Sequence, residues 1–422
     1  MSFDLLFRHA RLPGAKASDP NMDVGVQGGK IVAIAPNLIA PNLIAGTSDI
    51  GEVVDCAGRL LAPGFVETHI HLDKSCTIDR CACETGRHPH RAMERVSDIK
   101  HTFTIDDVTA RARRTLEKCI SHGTTLMRTH VEVDPKIGLR GFEGVKALIA
   151  AYAWAIDIEI CVMPQEGLTN NPGVDALMVA ALRNGATVVG AAPNYDTDRA
   201  AQIRRVFEMA REFDVDIDMH LDSGSSADDL DTRLVCDLTD QYGYGGRVAI
   251  GHVTKLTAMK PGDFDAMARR LADAGVALTV LPATDLYLGG READIHIPRS
   301  VVDANRLTEL GVTCSVSSNN ILNAFTPMGD GQLIRQGNLY ANVIQHAMPD
   351  DLRATWGMFT TAAARLLRRP DYGIAVGHPA DMVVVDAPTE VDALREIAPV
   401  LMGFKNGRRS FTRAPVTLHP PA

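Results

Sequence analysis

His69 and His71 close a short apolar run at residues 64–69, in the stretch Pro63-Gly64-Phe65-Val66-Glu67-Thr68-His69-Ile70-His71-Leu72-Asp73-Lys74. Side chains alternate faces along a strand, so these two imidazoles point to the same side. Two imidazoles converging at a strand end supply half of a transition-metal site. A pair of ordinary surface or core histidines would carry the same spacing. The rest of the chain separates the two readings.

Other reactive side chains end apolar runs in the same way. His130 closes residues 124–131, Gln165 follows 158–164, and His220 with Asp222 closes 217–221. His252 ends 248–252, Asp285 lies just past 276–281, and Asn319 with Asn320 follows 312–317. His69, His71 and His220 suit zinc, iron or another first-row metal. Such an ion would lower the pKa of a bound water and make a nucleophile near neutral pH. His252 is then placed as a base or an electrostatic catalyst. His130 reads as a buried histidine on the pocket floor or as a supporting group. Lys74, Asp222, Asp285 and Asn320 are expected pocket contacts.

The elements that must position these groups follow from the pattern of apolar runs. With a further run at 187–191, there are eight strand candidates between residues 61 and 365. Helical stretches at 105–121, 200–213, 227–242 and 264–274 lie between them. The alternation predicts an α/β fold, a (β/α)8 TIM barrel, whose chemistry sits at the C-terminal strand ends. A doubly wound sheet would want a phosphate-binding glycine loop, and neither Gly-x-Gly-x-x-Gly nor a P-loop is present. Residues 285–299, with Gly289-Gly290, are expected to form a flap over the rim.

Both ends of the chain read differently. Short strands at 5–7, 24–26, 30–34 and 53–55 are punctuated by a Gly28-Gly29 hairpin turn. Strand character returns at 381–386, before a polar, Pro-rich tail. We therefore expect a small composite β-sandwich of residues 1–60 plus 370–422 and a barrel of residues 61–369. The tandem repeat at 35–39 and 40–44 reads as an inserted loop, since its prolines exclude a central strand.

Composition narrows the partners. The 422 residues carry a formal charge of −9, which argues against nucleic acid or acidic lipid. No segment approaches the roughly 20 apolar residues of a membrane helix. The N-terminus lacks a basic stretch followed by a long apolar core, and the eight cysteines show no paired zinc spacing. A cytoplasmic protein with reduced thiols is expected.

In this order, the motifs resemble the amidohydrolase superfamily, most closely its cytosine deaminase branch, which includes N-isopropylammelide aminohydrolase-like enzymes. The carriers are residues 63–74, Met127-Arg128-Thr129-His130-Val131-Glu132-Val133, Pro164-Gln165-Glu166-Gly167 and Val189-Gly190-Ala191-Ala192-Pro193. Asp218-Met219-His220-Leu221-Asp222, Gly251-His252-Val253-Thr254 and residues 371–381 complete them, so the resemblance spans nearly the whole chain. It implies a metal-dependent hydrolase acting on a non-peptide C–N bond of a small nitrogen heterocycle or cyclic amide or amidine. It implies one divalent ion on His69, His71 and His220, zinc first, with iron, manganese or cobalt as alternatives. It places His252 beside the hydrolytic water and Gln165 on a heterocycle edge. Lys74 is similar to the lysine of the ammelide-type enzymes. The expected partner is a small heterocyclic substrate, with a homo-oligomer allowed for.

The chain departs from that pattern twice. Where the resemblance implies a proton-shuttling glutamate, three residues after the fifth-strand histidine, stands Ser223. Where it implies a metal-binding, proton-accepting aspartate after the eighth strand stands Asn319. An amide oxygen can approach a metal but takes no proton at any useful pH. His252 is then expected to be the main base, supported by Asp222 or Asp285. The alternatives are cleavage of a different leaving group, such as a C–S bond, or heterocycle binding alone. A glycosidase would need a carboxylate pair that the rim lacks. A phosphate-ester enzyme would need more cations than Arg291 and Arg299 provide there.

Overall fold

A computed structural model describes residues 2–38, 50–81, 91–414 and 416–419. Most of the tandem repeat and Cys83 lie outside the described residues. The barrel strands are β6 (Phe65–Ile70), β7 (Thr124–Glu132), β8 (Asp157–Met163), β9 (Val188–Val189), β10 (Asp216–Leu221), β11 (Val248–His252), β12 (Val276–Val280) and β13 (Cys314–Val316). They pair in sequence order, all parallel. A parallel bridge from Ile70 to Asn319 joins the first strand to the last at the C-terminal rim. The TIM barrel expected from the alternating pattern is therefore the observed fold.

Apolar strand residues face helices outside the barrel, in one continuous core. The helix Ile105–Ser121 has the expected bounds, because Thr104 accepts from Asp107 N at its start. The helix expected at 227–242 begins later, at Thr232. Asp222 causes the delay: its carboxylate accepts from the backbone of Asp231 and Thr232 and fixes the first turn there. The helix expected at 264–274 begins earlier, at Pro261, whose ring suits the first helical position.

Two further sheets cover one end. The first has β1 (Phe3–Ala10), β2 (Met22–Gln27), β3 (Lys30–Ala35) and β4 (Ile50–Asp55), in the order β3-β2-β1-β4. Gly28 and Gly29 turn the β2–β3 hairpin with φ of 59° and 78°, the left-handed values a two-residue hairpin loop needs. The second has β5 (Leu60–Pro63), β14 (Met382–Val385), β15 (Val400–Lys405) and β16 (Arg408–Thr412). The sheets share a core, in which Phe7 meets Phe404 edge to face at 4.8 Å. The tail is thus not wholly irregular. β15 and β16 form a hairpin about Asn406-Gly407, with φ of 48° and 71°.

Among the described residues seven cysteines are free and buried, and no helix is long and apolar enough to cross a membrane.

Candidate active site

β6 carries His69 to the rim, His71 follows directly after its last residue, and β10 carries His220 to meet them. His220 Nε2 lies 3.0 Å from His69 Nε2 and 2.9 Å from His71 Nε2. Burial, reinforced by the neighbouring imidazoles, pushes the His69 ring down to about 3 and holds His220 well below its usual range. Burial and then the Lys74 charge do the same for His71. All three rings are therefore unprotonated near neutral pH. Each ring has one lone pair and one N–H. His220 Nε2 cannot serve two neighbouring nitrogens with a single proton or lone pair, so the trio does not satisfy itself. A cation accepting all three lone pairs resolves the conflict, and the donor set fits a divalent first-row metal. Gly251 makes room for this packing: a Cβ there would stand 3.0 Å from His69 Cε1.

A second buried layer supports the first. His130 stacks beneath His69 at 3.8 Å, and its Nε2 lies 3.5 Å from Asp218 Oδ1. The other oxygen of Asp218 accepts from Arg128 Nη1 at 3.0 Å. Burial alone would raise the Asp218 carboxyl, but His130, His69 and Arg128 together hold it well below the usual range. His130 thus lies under the histidine trio and does not line the cavity, contrary to the expectation of a substrate-contacting histidine on the pocket floor. Asp218 and Arg128 were not singled out from the sequence. The signal was there: each lies two residues before a rim histidine on the same strand, hence on the same face.

His252 ends β11 with φ of 70°, a left-handed conformation uncommon for a non-glycine residue. Its Nδ1 lies 2.5 Å from Asp285 Oδ1, and the other carboxylate oxygen of Asp285 accepts from Leu281 N at 3.1 Å. This contact orients the ring so that Nε2 faces Asn319 Nδ2, at 3.4 Å. A ring nitrogen of His252 also falls within 4.8 Å of one each from His69 and His220. His71 Nε2 packs directly against His220 Nε2, whereas the Nδ1 of His252 is committed to Asp285. Asn319 Oδ1 is buried without a hydrogen-bond partner among the described residues.

A cavity of about 390 Å³ opens above these groups, lined by His71, His220, His252 and Asn319. Lys74, Gln165, Asp285 and Asn320 line it as expected. Segment 289–300 contributes Gly289, Gly290 and Pro298 to its wall. Ser223 also lines the cavity, whereas Asp222 does not. With φ of 47°, Asp222 turns back from the rim. Its oxygens accept from Asp231 N, Thr232 N and Thr232 Oγ1 at 3.0, 2.8 and 2.6 Å. The expectation of Asp222 as a pocket or catalytic group is corrected to a helix-anchoring one.

Beneath Lys74 runs a buried charge network that the sequence did not reveal. Lys74 donates to Glu132, which Lys100 also contacts; Lys100 reaches Asp134 and Glu166. Burial would raise Glu132, but the two lysines bring it down to about 2. These residues come from separate loops and strands, and only the closed barrel brings them together.

Residues 60–409 match the family model described as the amidohydrolase family. The chain is 26% identical over 415 residues to the N-isopropylammelide isopropyl amidohydrolase of Pseudomonas sp. (strain ADP), covering 96% of both chains. It is 27% identical over 361 residues to the pterin deaminase of Rhizobium rhizogenes, covering 84% of this chain and 82% of that one. Among solved structures, it superposes on 5-methylcytosine deaminase from Klebsiella pneumoniae with a TM-score of 0.91, at 26% identity and 99% coverage of both chains.

Proposed function

The chain belongs to the amidohydrolase family, and from that premise we propose that it is a metal-dependent hydrolase of a C–N bond in a small nitrogen heterocycle or related cyclic amide or amidine. The observation that carries this reading is the convergence of three unprotonated imidazoles, His69, His71 and His220, beneath a ring-sized cavity that His71 and His220 line. The relatives support the substrate class: by their names they act on an ammelide, a pterin and a methylated cytosine, all nitrogen heterocycles.

His69, His71 and His220 would hold the ion, which we propose to be zinc, since neutral imidazoles are among its preferred ligands. When bound, the ion supplies Lewis acidity and lowers the pKa of a water to near neutrality. The remaining steps belong to this chain's own groups. Asp285 holds the Nδ1 proton of His252, so Nε2 carries the lone pair that accepts a proton from the attacking water. The resulting imidazolium is stabilised by Asp285 and returns that proton to the departing nitrogen. Asn319 orients and does not titrate, so proton transfer falls to His252. Gln165 and Lys74 hold the ring, and segment 289–300 limits access of bulk water. The buried free thiols fit a reducing, cytoplasmic setting.

A second reading is favoured by Ser223 and Asn319, which replace the carboxylates that the resemblance implies. In it the leaving group needs little proton assistance, as in C–S cleavage, or the ring is bound without turnover. The test is release of ammonia or amine from amino-substituted pyrimidines, triazines and pteridines by metal-loaded protein. Release that disappears on chelation supports the hydrolase. A full equivalent of metal with no release from any ring removes C–N hydrolysis.

A further inference from the structure

A second cavity, of about 430 Å³, opens at the end of the barrel opposite the histidine trio. Thr361, Ala364, Arg365, Arg368, Arg369 and Tyr372 line it. Two contacts place it at the N-terminal strand ends. Tyr372 Oη donates at 2.7 Å to the carbonyl of Gly64, the residue before β6. Arg368 Nη1 lies 2.9 Å from Oδ1 of Asp216, the first residue of β10. The chain reverses here, just past the helix Thr361–Leu366. Arg368 takes a left-handed φ of 56°, and Arg369 N–H donates to the Ala364 carbonyl at 2.9 Å. The reversal brings Arg365 and Arg369 to one cavity.

The charges around this cavity do not cancel. Asp216 serves both Arg368 and Arg247, and Asp214 pairs with Arg247. Among the described residues, Arg365 and Arg369 have no carboxylate partner. Nor does either side chain donate to a helix-end carbonyl there, a common use of a cation at that position. Asp371, the one acid in residues 361–372, is exposed and forms no ion pair among the described residues. A guanidinium presents a planar fork of donors that matches phosphate oxygens two at a time. Ala364 and Tyr372 give the cavity an apolar wall, and its volume exceeds that of a phosphate alone.

We propose that this cavity binds the phosphate group of a small molecule, at a site separate from the catalytic one. The inference is independent of the hydrolase reading, because none of its residues lines the catalytic cavity.

Phenyl phosphate, inorganic phosphate and phenol are the probes, titrated by isothermal calorimetry into metal-loaded protein at pH 8 and low salt. Phenyl phosphate is expected to bind and phenol is not. Arg365→Ala and Arg369→Ala should each weaken phenyl phosphate at least about tenfold. Arg365→Lys should weaken it less than Arg365→Ala, because the charge remains while the fork is lost. Melting temperatures equal to the parent's confirm that the variants fold. The catalytic metal is the competing place for a phosphate oxygen, so the titration is repeated on chelated protein, where binding should persist. Tighter phenyl phosphate would identify a phosphate ester as the occupant, and equal affinities would identify free phosphate; each supports the site. Binding that vanishes on chelation, full affinity in both alanine variants, no binding by either phosphate, or equal binding by phenol would overturn the proposal.

Discussion

The main chain of Asn319 is laced to that of His69. Asn319 N–H donates to the His69 carbonyl, and the Asn319 carbonyl accepts from His71 N–H, each at 2.9 Å. This ladder closes the barrel at the rim. It fixes the backbone of Asn319 beside His69 and His71, independently of whether its side chain carries charge.

Asn319→Asp therefore changes charge with little change in position. A carboxylate beside three neutral imidazoles offers an anionic donor to a divalent ion. Metal affinity should rise by about tenfold or more, read by competition with a chromogenic chelator. Unchanged or weaker affinity would mean that residue 319 does not face the ion.

His220 is the nitrogen shared by both close contacts of the trio. His220→Ala should leave purified protein with much less than one equivalent of metal by inductively coupled plasma mass spectrometry, while the barrel stays folded by circular dichroism. His130→Ala removes only the prop beneath His69 and should weaken metal retention less. Equal metal content in His220→Ala and the parent protein would reject the assigned ligand set.

The His252–Asp285 pair should separate chemistry from metal binding. His252→Ala is expected to lower kcat by about 10²–10⁴, the range typical of a general acid or base. Asp285→Asn keeps the shape but no longer stabilises the imidazolium, and should lower kcat with little effect on KM. Metal content should hold in both. Full kcat in either variant would place the proton transfer on another group.

Asp222→Ala should act on stability. It removes the acceptor of three buried hydrogen bonds at the start of Thr232–Tyr242. A loss of about 1–3 kcal/mol is expected, seen as a lower urea midpoint, with Asp222→Asn recovering part because one acceptor oxygen remains. A midpoint equal to the parent's would refute the anchoring role.

The contrast between Asp222 and Asp285 shows what the sequence could and could not reveal. Strand ends and their i, i+2 faces were legible, because pleating alone sets which side chains share a side. That rule found His69 with His71, and it would have found Arg128 with His130 and Asp218 with His220. It could not say which way a residue just past a strand turns. Asp222 adopts a left-handed φ and leaves the site, while Asp285 sits in the first turn of a short helix and returns to it. The Lys74–Glu132–Lys100 network was equally hidden, since its members meet only through tertiary closure. The β15–β16 hairpin had a local signal in Asn406-Gly407, obscured by the prolines that follow.

The same burial that readies the trio for metal makes the metal-free protein acid-sensitive. Burial pushes His69 down to about 3 and holds His71 and His220 well below the usual imidazole value of 6.5. Below pH 6.5 the unfolded chain takes up protons on these rings and the folded chain does not. Stability is therefore fully present above about pH 6.5 and falls as pH drops toward 3. Glu67 works the other way: burial raises it from 4.5 to about 7, so its protonated form favours the folded state as pH falls through that range. His130 is likewise held low by burial and Asp73 is raised to about 6, so four histidines act against two carboxyls and leave a net loss of stability below about pH 6. Urea midpoints of chelated protein at pH 7.5, 6 and 5 should fall in that order. Metal-loaded protein should be more stable at pH 7.5 and lose that advantage with acid, because protons and the ion compete for the same lone pairs. Midpoints of the metal-free protein that rise toward pH 5 would show that the buried rings are not held neutral.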